Sequence, residues 1–186
     1  MSELHLHELP LSGLFSLHHK RHEDPRGQFS RLFCEGGLGA LGATFHVRQI
    51  NHSRTRGQGS VRGLHYQQGD MPEAKLITCL RGEVWDVAVD LRVDSPTFLH
   101  WHAEHLRAGD GRSLLIPAGF AHGFQVLGDE AELLYLHSAD YAPGKEGGLS
   151  VHDPRLAIDW PLPVKNLSVR DAAHPWLDQH FAGVRP

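Results

Sequence analysis

The sequence predicts an all-β fold with a short helical tail, and three observations predict it. Long helical periodicity is missing from the middle of the chain. In its place stand short β-rich runs separated by Gly, Pro, Asp and Asn. One of these runs sets Trp85, Val87, Val89 and Leu91 on one face by the two-residue period, with Asp86 and Asp90 opposite.

In order, the predicted strands are Phe45–Asn51, Val61–Gln67, Leu76–Leu80, Val84–Leu91, Ser113–Ile116, His122–Leu127 and Leu133–His137. Arg81-Gly82, Asp94-Ser95-Pro96 and Gly109-Asp110-Gly111 read as tight turns between them. Many short strands at this spacing make a sandwich or a barrel. Helix is predicted near residues 36–42 and after residue 168. There Ser168-Val169-Arg170-Asp171 has the form of a capping box, with Ser168 as N-cap.

The 186 residues suit one domain spanning 1–186, and neither repeat nor linker divides them. Hydrophobic residues at 40% and charged residues at 22% are ordinary for a globular protein. No apolar run approaches the length of a membrane span. The start, MSELHLHELPLSG, has neither a basic beginning nor a long apolar stretch, so it does not read as a secretion signal. Cys34 and Cys79 are therefore expected to be reduced thiols in a cytoplasmic protein. The formal charge of −4, without a concentrated Lys/Arg run, argues against a nucleic-acid partner. Any anionic ligand must be met by a few placed arginines and lysines. The sixteen histidines are scattered, and most, such as His5, His7, His18 and His19, are expected to face solvent.

The interesting polar residues fall in four segments: Asp24–Gly27, Arg62–Gln67, Ile116–Phe124 and Leu133–His137. A barrel can bring such distant strands around one mouth. The second and third resemble the two motifs of the cupin family, which implies a jelly-roll β-barrel. Pro117-x-Gly119-x-x-His122 fits the second motif, but the first departs from its pattern. His65 is followed two residues later by Gln67, and Lys75 stands where an acidic ligand is expected. An amide and an ammonium are poor substitutes for metal ligands, so no metal is expected. His, Lys, Tyr and Arg together suit a different task. Such groups can remove a proton beside a carbonyl, hold the enolate oxygen and return a proton from the other face.

Further motifs sharpen the resemblance. Gln49–Ser53, Arg62–Gln67, Gly82–Asp90, Ser95–Phe98, Pro117–Phe124 and Asp159–Leu162 occur in this order. Together they resemble the dTDP-4-dehydrorhamnose 3,5-epimerase family over roughly residues 9–175. The resemblance implies epimerisation at C3, C5 or both of a nucleoside-diphosphate 4-keto-6-deoxy-sugar, with no cofactor, in a homodimer. It implies His65 as general base, Asp171 as its orienting carboxylate, Tyr135 as the acid on the opposite face and Lys75 beside the enolate oxygen. Arg26, Gln49, Asn51, Arg62 and His122 would line the sugar and diphosphate, with Tyr141 and Glu146 at the nucleotide end. Alone, each has a plainer reading: Asp171 as a helix cap, Tyr135 as core, Lys75 as an edge lysine.

Two positions depart from the family's pattern. Arg31 stands where a nucleotide-holding Glu is common, and Gly144–Gly148 differs from the usual Glu-His-Glu. Arg62 also poses a parity problem. It cannot face the same way as His65 in a regular strand, so a bulge or twist is expected at Gly63. The rivals to an epimerase are a 3,4-ketoisomerase sharing the enediol chemistry, a sugar-nucleotide-binding cupin without turnover, and a metal-dependent cupin oxygenase.

Overall fold

The computed structural model describes residues 4–40 and 42–186. Thirteen strands follow one another: β1 (Leu4–Glu8), β2 (Phe15–His19), β3 (Arg21–Asp24), β4 (Gly27–Ser30), β5 (Gln49–Arg56), β6 (Val61–Gln67) and β7 (Lys75–Arg81) come first. After them come β8 (Glu83–Asp90), β9 (Trp101–Arg107), β10 (Arg112–Ile116), β11 (Phe120–Val126), β12 (Glu130–His137) and β13 (Glu146–Gly148). Two short α-helices, α1 (Glu35–Ala40) and α2 (Val169–Ala172), and a single 3-10 turn at Pro143–Lys145 complete the elements among the described residues. The helix predicted near 36–42 is thus α1, and residue 41 lies outside the described residues.

The strands form two antiparallel sheets, with the orders β1-β2-β10-β7-β12-β5 and β13-β6-β11-β8-β9, and a separate β3–β4 hairpin. The architecture is an all-β jelly roll: the alternation and turn signals predicted a sandwich or barrel, and the cupin resemblance implied the jelly roll. Three apolar layers hold it together. Between the sheets, Ile77, Leu114 and Ile116 of one meet Ala88, Phe120 and Phe124 of the other. Behind the five-stranded sheet, Val87, Val89 and Leu91 pack on Leu149, Val151 and Leu177 from the chain's last third. Behind the six-stranded sheet, Leu17, Leu76 and Leu136 pack on Leu38 of α1 and on Phe45. Each large side chain fully buried in these layers contributes about 1.5–3 kcal/mol relative to exposure.

The alternation in β8 is as predicted, but its polar face is not in water. Val87, Val89 and Leu91 point outward onto the C-terminal segment, so Asp86 and Asp90 turn inward and are fully buried. Asp90 is neutralised locally by Arg92 at 2.7 Å and by the Ser95 and Thr97 hydroxyls. Asp86 faces the interior between the sheets.

The strand predicted at Phe45–Asn51 is displaced toward the C-terminus. Gln49–Arg56 pairs residue by residue with β12, whereas Phe45 is a buried plug beneath α1. Among the described residues, no helix is long and apolar enough to cross a membrane.

Candidate active site

A cavity of about 570 Å³ opens between the sheets, in the size range of small-molecule sites. His65, Arg62 and Gln67 of β6 and His122 of β11 line one side. Lys75 of β7, Tyr135 and His137 of β12, and Gln49 and Asn51 of β5 line the other. Tyr141, Glu146 and Arg170 stand at the rim.

A bulge explains how Arg62 and His65 share one wall. Across the β6–β11 pair, His65 opposes His122 and Arg62 opposes Phe124, so three steps on β6 match two on β11. Leu64 consequently packs outward while Arg62 and His65 both reach the cavity. Gly63 makes this possible. Its φ is +133°, and a Cβ there would lie 2.6 Å from Gly123 Cα. The N–H displaced from regular pairing donates to Asp171 Oδ2 at 3.4 Å.

Asp171 is supplied by α2, where Ser168 Oγ caps the Asp171 N–H at 3.0 Å. The capping and orienting readings of this stretch therefore coexist. His65 Nε2 lies 2.8 Å from Asp171 Oδ1. A carboxylate only accepts, so Nε2 carries the proton and the Nδ1 lone pair is left for chemistry. Burial raises the Asp171 carboxyl, but the His65 bond and charge, with the Gly63 and Ser168 contacts, hold it below the usual carboxylate range. Burial lowers the His65 pKa below 6.5, only partly opposed by Asp171 and reinforced by Lys75 and Arg170. The imidazole is thus neutral and basic at pH 7.

On the facing sheet, burial pushes the Tyr135 phenol well above its ordinary value, keeping it protonated. Its ring stacks on His137 at 5.8 Å and meets the edge of His122 at 6.0 Å. Lys75 Nζ donates to the His65 carbonyl and pairs with Glu73, both at 3.3 Å. His122 Nε2 is 2.9 Å from Asp86 Oδ1, which accounts for the inward turn of that aspartate.

The remaining predicted residues divide. Gln49, Asn51, Arg62, His122, Tyr141 and Glu146 line the cavity. Arg62 Nε donates to Thr55 Oγ1 at 2.8 Å, and among the described residues it has no carboxylate partner. Tyr141 donates to Glu146, which also pairs with Arg170, forming a closed cluster at the rim. Arg26 and Arg31 lie apart from this chain's cavity. Arg26 is exposed on the β3–β4 hairpin and pairs with Asp24, while Arg31 follows that hairpin and its carbonyl meets His19 Nδ1. The hairpin lies outside both large sheets, which removes the two arginines from the cavity wall.

The sequence reading gave no role to Glu73, His137 or Arg170, although His137 ends one of its four polar segments. His137 carried a signal, since it shares the face of Tyr135 by the two-residue period. Gln67 proves to be structural: its side chain accepts from Ala142 N–H and donates to the Asp140 and Met71 carbonyls, fixing the loop that carries Tyr141.

Among the described residues, His65, Asp171 and His174 place one donor atom each within 4.8 Å of one another. The Arg170 guanidinium lies 3.3 Å from His65 Nε2, however, and a cation there opposes a second one.

Comparisons with known proteins agree on one family. A family model described as dTDP-4-dehydrorhamnose 3,5-epimerase matches residues 8–179. The dTDP-4-dehydrorhamnose 3,5-epimerase of Salmonella typhimurium is 46% identical, covering 84% of this chain and 86% of its own. A dTDP-4-dehydrorhamnose 3-epimerase of Streptomyces niveus is 38% identical over 90% of this chain and 81% of its own. The solved dTDP-6-deoxy-D-glucose-3,5-epimerase of Legionella pneumophila, in complex with dTDP-4-keto-L-rhamnose, superposes with a TM-score of 0.90. It is 38% identical, covering 98% of this chain and 99% of that one.

Proposed function

The chain belongs to the dTDP-4-dehydrorhamnose 3,5-epimerase family, and on that premise we propose that its cavity inverts C3, C5 or both of a dTDP-linked 4-keto-6-deoxy-sugar. The observation that carries this reading is the division of groups between facing walls. A carboxylate-held imidazole stands on β6, and a protonated phenol and an ammonium stand on β12 and β7.

Each inversion proceeds in two proton transfers. His65 Nδ1 takes the proton on the carbon beside the 4-keto group, and the C–H electron pair moves into the ring as an enolate. The negative charge falls on the carbonyl oxygen, beside the Lys75 ammonium. Tyr135 then gives its proton to the opposite face of the same carbon, and the C=O bond re-forms. Asp171 keeps His65 in the tautomer that leaves Nδ1 basic, and solvent restores both groups. The ketone itself acidifies both neighbouring carbons, so no cofactor is needed.

Arg62, without a carboxylate partner among the described residues, suits the diphosphate, because its planar fork can bond two oxygens at once. Gln49, Asn51 and His122 serve the sugar hydroxyls, and Tyr141 and Glu146 the nucleotide end. The enzyme works as a homodimer in which the β3–β4 hairpin, with Arg26 and Arg31, reaches a partner's cavity. The exposed hairpin, with Phe29 61% exposed, supports this arrangement. The unpaired Cys34 and Cys79 favour action in the cytoplasm. A 3,4-ketoisomerase or a binding protein without turnover fits less well: the chain's relatives are epimerases, and binding alone requires no acid–base pair.

The test is proton NMR in D₂O with dTDP-4-keto-6-deoxyglucose. Solvent deuterium appearing at C3, C5 or both is the expected result, and the labelled positions name the inverted carbons. A folded enzyme that exchanges neither carbon on this or another nucleotide sugar overturns the reading.

A further inference from the structure

We propose that Glu73 and His137 form a positioning relay in the cavity wall that sets the Lys75 ammonium and the Asn51 amide against the substrate; the inference rests on the epimerase reading.

The relay follows from strand register. β12 ends on His137 and β7 begins on Lys75, and the two are direct cross-strand partners. Glu73, two residues before Lys75, reaches back between them. His137 Nδ1 lies 2.7 Å from Glu73 Oε1, and Lys75 Nζ lies 3.3 Å from Glu73 Oε2. At the far end, the Asn51 amide nitrogen lies 3.2 Å from His137 Nε2. Glu73, Lys75 and His137 are all buried.

The carboxylate and the ammonium fix the direction of the bonds they make. Glu73 as a carboxylate only accepts, so His137 Nδ1 carries a hydrogen toward it. The Asn51 amide nitrogen stands against Nε2, which turns the Asn51 carbonyl the other way and presents it as an acceptor. Lys75 has three N–H donors. Glu73 takes one and the His65 carbonyl a second, leaving one for the cavity. Burial alone would raise the Glu73 carboxyl, but the His137 bond and the Lys75 charge pull it below the usual range.

Stability alone is a weak reason for such a set. A buried ion pair is often replaceable by apolar side chains at no loss, whereas removing one partner strands the other charge. What the charged set adds is orientation at a wall the substrate touches.

The experiment compares Glu73→Gln, His137→Asn and His137→Phe with wild type in kcat, KM, deuterium exchange and thermal stability. Glu73→Gln keeps the shape and loses the charge. Its kcat is expected to fall about 100-fold with KM changed less than about 3-fold, the signature of a contact made in the transition state. His137→Asn keeps a donor toward Glu73 and is expected to lose less than His137→Phe, which keeps only the ring stack on Tyr135. Because Glu73 acts through Lys75, Glu73→Gln should add little to Lys75→Met in the double variant.

Wild-type kcat in a folded Glu73→Gln enzyme, or full additivity with Lys75→Met, overturns the relay. If Glu73→Gln does not fold, the His137 pair decides: equal kcat in His137→Asn and His137→Phe overturns it. Normal wild-type exchange with unaffected variants sinks the relay alone. No wild-type exchange sinks the epimerase reading and the relay with it.

Discussion

Asp171 accepts from His65 at 2.8 Å while its own backbone N–H is capped by Ser168 at 3.0 Å. The one-turn helix that carries the carboxylate is therefore pinned at its first residues, and the imidazole inherits that rigidity. Replacing Asp171 by Asn keeps the shape but allows the amide to donate, which favours the wrong tautomer of His65. Proton exchange in D₂O is expected to fall about 10²- to 10⁴-fold, with the folded state retained by circular dichroism. Exchange within a few-fold of wild type would remove Asp171 from the reaction.

The pH profile follows from the depressed His65 pKa. A base works in its neutral form, so kcat/KM falls as pH drops through the His65 value, and this acid limb lies below pH 6.5. Arg170 is one of the charges that lowers that value. Arg170→Gln is therefore expected to move the limb toward higher pH, read from kcat/KM between pH 5 and 8. A limb that moved to lower pH would contradict this account.

Tyr135→Phe removes the donor from one face and leaves the base on the other. Epimerised product is expected to fall about 10²- to 10⁴-fold while exchange at one carbon persists, because abstraction and reprotonation use different groups. Wild-type epimerisation by this variant would defeat the two-face assignment.

Gly63→Ala tests the bulge. An alanine at φ +133° with its Cβ 2.6 Å from Gly123 Cα must shift one strand against the other. A loss of about 1–3 kcal/mol is expected, which for a chain of this size lowers Tm by several degrees. Activity should fall further than stability, since Arg62 and His65 then lose their common wall. Unchanged Tm and turnover would make the bulge incidental.

Much of this was legible in the residues, and the exceptions have physical causes. The β6 and β8 patterns carried their strands because β-branched and apolar residues alternate there. β5 was misplaced because Asn51, His52, Ser53 and Arg54 look like loop; as an edge strand with one side on the cavity, it has no need of apolar residues. β13 is Glu-Gly-Gly and was missed for a related reason. Its glycines lie so close to the rings of Tyr66 and His174 that side chains would collide, a requirement visible only in three dimensions. At the site, His65, Lys75, Tyr135 and Asp171 were identified as a set by resemblance. Glu73 was not, because a lone Glu beside Ala74 reads as surface until the fold buries it.

The proposed base and acid, His65 and Tyr135, belong to different sheets, and much of the filling between those sheets is apolar: Phe120 and Phe124 against Ile77 and Leu114. Packed sheets keep a spacing of about 10 Å, set by the volume of what lies between them. The spacing of the proposed base and acid then depends on bulk. A protein that trims Phe124 to Leu lets the two walls draw together or tilt, and a proton removed from one side is more often returned to that side. Such a variant should keep labelling the carbon with deuterium while yielding less inverted sugar per label, a ratio that NMR reads directly. On the proposed mechanism, fidelity is a mechanical tolerance, set by the bulk of side chains such as Phe124 that fill the space between the sheets and line the cavity.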